Sequence, residues 1–155
     1  MINARHNRES QTAPESDAVT RPRRIVLAED DSEMRLLLAQ SLTRDGYDVV
    51  EVPDGSELVS KIVDSLRDGR PVDLVLSDVR MPGLGGFEAV AWLRELGCRA
   101  PVILITAFGD CSVHAEGVHA GAVRVLDKPF ELDHLRQIVR ELFAPPRARV
   151  SDFLT

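Results

Sequence analysis

The sequence predicts a doubly wound α/β fold, a five-stranded parallel sheet covered on both faces by five helices. Two observations carry this expectation. Short runs of Val, Ile and Leu alternate along the chain with longer amphipathic stretches, the pattern of repeated strand–helix units. The runs are nearly continuously apolar, as parallel strands buried on both faces must be.

The first strand is Ile25-Val26-Leu27-Ala28. Met34, Leu37, Leu38 and Leu42 follow at i, i+3, i+4 and i+8, one face of a helix, with Ser32 as its expected cap. The second run, Val49-Val50-Glu51-Val52, carries a charge and is expected near an edge. A helix over Ser56–Leu66 leads to the third run, Leu74-Val75-Leu76, and a helix over Phe87–Leu96 to the fourth, Val102-Ile103-Leu104-Ile105. Ser112–Ala120 is a weaker helix because Gly117 interrupts it. The fifth run, Val123-Arg124-Val125-Leu126, again carries a charge. Leu132, Leu135, Ile138, Val139 and Leu142 form the stripe of the last helix, which Pro145 and Pro146 stop.

The totals narrow the class. A chain of 155 residues fits one domain. Its net charge of -6 argues against direct nucleic-acid binding through a basic surface. No run approaches the roughly 18 apolar residues of a membrane span, so no membrane insertion is expected. The N-terminus has no apolar core of a secretory signal. Cys98 and Cys111 form no CxxC and suit a reducing compartment, so the expected location is cytoplasmic. Residues 1–23 and 144–155 are polar or proline-rich and read as tails around a domain over 24–143.

Ligands of such sheets bind at the carboxyl ends of the strands. The first strand ends in Glu29-Asp30-Asp31, the third in Ser77-Asp78, the fourth in Thr106 and the fifth in Asp127-Lys128-Pro129. Parallel strands bring these groups to one edge. Clustered carboxylates resist ionising together, and a hard cation such as Mg2+ relieves them while accepting phosphate oxygens. An ionised Asp can attack a phosphoryl group, and metal, lysine and hydroxyl can neutralise its equatorial oxygens. Taken singly, Glu29-Asp30-Asp31 would be a solvated loop with a cap, Asp78 a turn residue and Lys128 a surface lysine. Their order at successive strand ends favours the site.

These segments resemble the receiver domain of bacterial response regulators, a flavodoxin-like family. VLAEDD resembles its acidic pair, LVLSDVRMPGLGGFE its phosphoacceptor segment, LITAFGD its switch-hydroxyl segment and LDKPF its lysine segment. Thr106 and Lys128 are 22 residues apart (128 − 106), an interval common in the family. The resemblance covers Arg24 to Phe143. It implies Asp78 as phosphoacceptor, Asp30 as a direct Mg2+ ligand and Glu29 as a ligand through water. Arg80 would offer its backbone carbonyl to the metal. Thr106 and Lys128 would contact the phosphoryl group, and a cis bond would precede Pro129. The implied partners are a histidine kinase or histidine phosphotransfer protein and an unidentified downstream protein target.

Three departures stand out. Val125 replaces the aromatic usual three residues before the lysine. Gly85 replaces a frequent Asp. The stretch from Asp54 to Asp78 is longer than usual. With valine short and stiff, signalling is expected through Ala107-Phe108-Gly109-Asp110 and the fourth helix, with Phe108 as substitute filler.

The alternatives are a receiver-like module that no longer phosphorylates and a phosphatase resembling the haloacid dehalogenases. The latter place an Asp acid two residues after the nucleophile, where this chain has Arg80. A signalling module rather than an enzyme is expected. Only 27 residues follow Lys128 (155 − 128), fewer than the roughly 50 of an output domain. Gly83, Gly85 and Gly86 do not complete a dinucleotide fingerprint, because Glu88 stands at the third position. His114 and His119 are five apart and form no i, i+4 ligand pair. Trp92 is expected to be a packing residue.

Overall fold

The computed structural model describes residues 21–107 and 111–145. Most of the expected N-terminal and C-terminal tails, and Phe108, lie outside the described residues. In chain order the elements are β1 (Arg24–Ala28), α1 (Ser32–Arg44), β2 (Asp48–Val52), α2 (Gly55–Asp68), β3 (Leu74–Asp78), α3 (Gly86–Glu95), β4 (Val102–Thr106), α4 (Cys111–Ala120), β5 (Arg124–Asp127) and α5 (Leu132–Phe143). All strand pairs are parallel, in the order β2-β1-β3-β4-β5. The two charged runs are the edges, as expected.

Side chains alternate across a strand, so each continuous apolar run feeds two cores. Ile25, Leu27, Leu74, Leu76, Ile103 and Ile105 face α1 and α5. Val26, Ala28, Val75, Val102 and Leu104 face the side covered by α2 and α3. This double burial is why β1, β3 and β4 lack the polar alternation of a half-exposed strand. Among the described residues no helix is long and apolar enough to cross a membrane.

The helices differ from expectation in detail. Asp31, not Ser32, caps α1: its Oδ1 accepts from the amides of Glu33 at 3.0 Å and Met34 at 3.1 Å. A carboxylate there satisfies two orphan donors and opposes the helix dipole. The buried face of α1 is Leu38, Ala39 and Leu42, while Leu37 is 47% exposed. The axis is turned so that Ala39 takes the place expected for Leu37. At the far end of α1, Arg136 of α5 forks onto Asp45 at 2.5 and 2.7 Å, holding that carboxyl below its usual range. Trp92 is 51% exposed, so the packing role expected for it is not what the fold uses.

Two glycines are dictated by close approach. A Cβ on Gly55 would stand 2.2 Å from the Leu84 carbonyl oxygen, and one on Gly86 would stand 2.5 Å from that of Asp78. These contacts seat the N-termini of α2 and α3. Gly55→Ala is expected to destabilise the fold by about 1–3 kcal/mol, as overpacking against backbone does. Urea denaturation checks this, with exposed Ser56→Ala as the near-neutral control. Equal midpoints for the two variants would contradict the contact.

Candidate functional site

The site forms where the sheet reverses its winding. The chain leaves β1 for the α1 face, and after β3 it passes through α3 on the opposite face. The loops therefore part between the carboxyl ends of β1 and β3, and ligands of doubly wound sheets bind at such a crevice. Register does the placing. Ala28 pairs with Ser77, so Glu29 falls level with Asp78. Asp78 pairs with Ile105, so Thr106 lies one step beyond. Thr106 pairs with Asp127, and the Lys128 amide donates to the Thr106 carbonyl at 2.7 Å.

Glu29, Asp78 and Thr106 are among the few buried polar side chains. Glu29 is 1% exposed and Asp78 is 6% exposed. Each is held by backbone. The Glu29 amide donates to the Val52 carbonyl at 3.1 Å, and the Val79 amide to the Ile105 carbonyl at 2.8 Å. The Asp78 carbonyl accepts from Ser77 Oγ at 3.0 Å.

The Lys128 ammonium lies between the two buried carboxylates. Its Nζ donates to Asp78 Oδ2 at 2.9 Å and to Glu29 Oε1 and Oε2 at 3.1 and 3.3 Å. Asp78 Oδ1 accepts from the Arg80 amide at 3.2 Å. The two oxygens of Asp78 are thus distinguished, one facing a cation and the other a backbone dipole. The Lys128–Pro129 bond is cis, as the resemblance implies.

Charge at the site is unbalanced. Glu29, Asp30 and Asp78 each offer an oxygen, all within 4.8 Å of one another. One ammonium against three carboxylates leaves an excess of negative charge. Burial, reinforced by the Asp78 charge, pushes the Glu29 carboxyl up to about 7 against the pull of Lys128. Burial works to lower the Lys128 pKa, but hydrogen bonds and charge from Asp78 and Glu29 prevail and raise it. Three hard oxygens, two buried and one at the exposed Asp30, are the donor set that Mg2+ takes while keeping waters for a phosphate. An open cleft beside Asp30, lined by Arg80, Pro82, Gly83 and Glu88 among others, leaves room for them.

All the sequence-predicted residues therefore meet at one edge. Thr106 is buried there, and Arg80 is exposed on the loop after β3. One polar contact was not foreseen. His114 Nε2 of α4 lies 2.9 Å from Asp127 Oδ1, next to Lys128. The unequal spacing of the histidines gave no sign of it, because its partner is on β5. The residue replacing the usual aromatic, Val125, is half-buried against the α2–α3 core. Its Cγ2 would stand 2.6 Å from a Cβ on Gly117, so the glycine that weakens α4 as a helix is what lets α4 lie on β5.

Comparison with known proteins agrees with this geometry. The family model for the response regulator receiver domain matches residues 25–140. The transcriptional regulatory protein TcrA of Mycobacterium tuberculosis is 40% identical over 119 residues, covering 77% of this chain and 45% of TcrA. PdtaR of the same species is 36% identical over 126 residues, covering 80% of this chain and 58% of PdtaR. The chain thus spans about half the length of the curated relatives it matches. Among solved structures, the Vibrio cholerae chemotaxis protein CheY4 superposes with a TM-score of 0.72 at 26% identity, covering 79% of this chain and all of CheY4. The response regulator TrrA of Thermotoga maritima, solved in complex with Mg2+ and BeF, gives 0.67 at 29% identity, covering 78% of this chain and 99% of TrrA. On sequence match and fold alike, this chain belongs to the response regulator receiver domain family, the phosphorelay signalling modules of two-component systems.

Proposed function

We propose that residues 24–143 accept a phosphoryl group on Asp78 from a histidine kinase or histidine phosphotransfer protein, with Mg2+ as cofactor. The observation that supports this best is the Lys128 ammonium 2.9 Å from one Asp78 oxygen, in a cluster of three carboxylates suited to a divalent cation. The Asp78 carboxylate attacks phosphorus, the P–N bond of phosphohistidine breaks, and a proton returns to the leaving imidazole. The product is an aspartyl phosphate. Mg2+, when bound, draws charge from the phosphoryl oxygens. Lys128 exchanges a carboxylate oxygen for a phosphoryl oxygen, and the Thr106 hydroxyl donates to another. Asp30 would hold the cation directly, Glu29 through water, and the Arg80 carbonyl would complete the set. Burial keeps Asp78 poorly hydrated and so a better nucleophile. Free thiols at Cys98 and Cys111 fit a reducing compartment such as the cytoplasm.

Incubation with Mg2+ and a small phosphodonor tests the assignment. The parent chain should gain one acid-stable, base-labile phosphate. Asp78→Asn should gain none while keeping its circular dichroism, since Asn is nearly isosteric but not an anionic nucleophile. Full labelling of Asp78→Asn at another residue would reject the assignment. In the same series, Asp30→Ala should weaken Mg2+ binding by roughly 10–100-fold.

The raised Glu29 pKa fixes a pH dependence. A carboxyl near 4.5 unfolded and about 7 folded binds more protons in the folded state between those values. Its contribution is therefore full below the unfolded value and is lost as pH rises through the folded one. Lys128 titrates well above this window. Without Mg2+, the urea midpoint should fall between about pH 5 and about pH 8. Glu29→Gln should flatten that fall, and a fall of the same size in the variant would exclude Glu29 as its origin.

Output is carried by α4. Gly117 is the one buried residue of that helix, and His114 ties it to Asp127 beside Lys128. Charge added at Asp78 redirects Lys128 and Thr106, and the small Val125 leaves α4 to respond. Beryllofluoride with Mg2+ should slow amide exchange over residues 111–120 by at least about threefold. An occupied site with unchanged exchange there would refute this route.

A further inference from the structure

Few side chains of α4 reach the sheet, and one of them is titratable. Gly117 is the one buried residue of the helix. His114, one turn before it, places Nε2 2.9 Å from Asp127 Oδ1 at the end of β5, with the two side chains 38% and 49% exposed. An ionised carboxylate only accepts, so the ring nitrogen donates. A neutral ring donates from Nε2 in one of its two tautomers. The imidazolium donates from both nitrogens, and its bond to a carboxylate is charge-assisted, roughly twice as strong as a neutral one.

Asp127 links this contact to the site. It pairs with Thr106 across the sheet and precedes Lys128, whose amide donates to the Thr106 carbonyl at 2.7 Å. One strand end thus carries both the cation of the site and the carboxylate that holds α4. Few other charges surround the pair. Lys128 is turned inward, onto Glu29 and Asp78. From α5, Glu131 and His134 share a cleft with Asp127. From α3, the Phe87 ring borders α4, and Arg94 donates past its end to the Gly121 carbonyl. On α4 itself, Cys111 stands one turn before His114, and Glu116 lies roughly 200° around the helix from it. Asp110 lies outside the described residues. Among the described residues no lysine or arginine pairs with Asp127.

We propose that His114 and Asp127 form a pH-sensitive latch on α4, in which the imidazolium holds the helix against β5 and loss of the ring proton to water releases it. The latch rests on α4 as the output element and gives that element a second input. By linkage, the latched state binds the ring proton more tightly. It is therefore favoured as pH falls and lost as pH rises through the range, roughly 5 to 8, in which histidines change charge. Occupation of the Asp78 site is expected to seat α4 as well, so proton and phosphoryl group each favour the other by the same factor. The phosphorylated receiver then holds α4 most firmly in a mildly acidic medium.

Amide exchange of the full chain at constant Mg2+, read as protection relative to free peptide at each pH, tests the latch without any phosphodonor. Between about pH 5.5 and about pH 8, protection over α4 should fall by at least about threefold more than over α3, which reports any change in overall stability. His114→Gln keeps a side-chain donor but no titrating ring, and it should abolish this extra fall. Asp127→Asn keeps an acceptor without its charge, and it should reduce the fall to below about twofold. His119→Gln and His134→Gln should leave it intact. No extra fall in the parent, or an equal fall in His114→Gln, overturns the latch. Beryllofluoride forms a separate arm. If it leaves α4 exchange unchanged while the fall persists and requires His114, the latch stands but α4 is not the output element. If it slows α4 exchange equally at every pH with no extra fall, the latch alone is wrong.

Discussion

One ammonium between two buried carboxylates governs this structure. Glu29 and Lys128 are 99 residues apart in sequence, yet Nζ reaches Glu29 and Asp78 together. Buried charges left unpaired are costly, so the site requires all three groups at the same depth. A parallel sheet provides that economically. Each strand ends at the same edge, register fixes depth to one residue, and the cores on both faces hold the register. The pairing is also incomplete, because three carboxylates face one lysine. Glu29 answers by holding its proton up to about 7. The same deficit of positive charge gives a divalent cation its place.

The fold treats its helices unequally around this centre. α3 is fixed at both ends. Gly86 rests on the Asp78 carbonyl, and Arg94 donates to the carbonyls of Cys98, Ala100 and Gly121. α4 has one buried residue, Gly117, and reaches the sheet through Val125 and through His114 on Asp127. An element with so little buried surface opens at low cost. Of the helices around the site, α4 is therefore the one that would open at the lowest cost.

Much of this was legible in the sequence because it depends on local pattern. Continuous apolar runs require burial on both faces, and the charged runs fell on the two edges. The residues after those runs were bound to share an edge once the strands were parallel, which placed Glu29, Asp30, Asp78, Thr106 and Lys128 together. What failed depends on neighbours that periodicity does not encode. The stripe of α1 left its rotation open by about one residue, and packing on the sheet buried Ala39 in place of Leu37. Two cap residues stood side by side, and the anionic Asp31 prevailed over Ser32. Trp92 fits a packing stripe by type, but α3 uses its flank toward α4 for anchoring. Gly117 weakens α4 as a helix by type, and its need for close approach to Val125 of β5 is not encoded in the local pattern.

One of the three departures from the usual receiver sequence, Val125, bears on this division. With Val125 in place of a ring, the position three residues before Lys128 offers no large side chain to α4, and Gly117 brings the helix down onto the valine. Among the helices, α4 is then the one with the least buried surface, Gly117 alone. The α2–α3 side lies on the other flank of the fixed helix. Leu58 and Ile62 of α2 and Ala89, Val90 and Leu93 of α3 are buried beneath it. A surface built on fixed elements keeps its shape whether or not the site is charged.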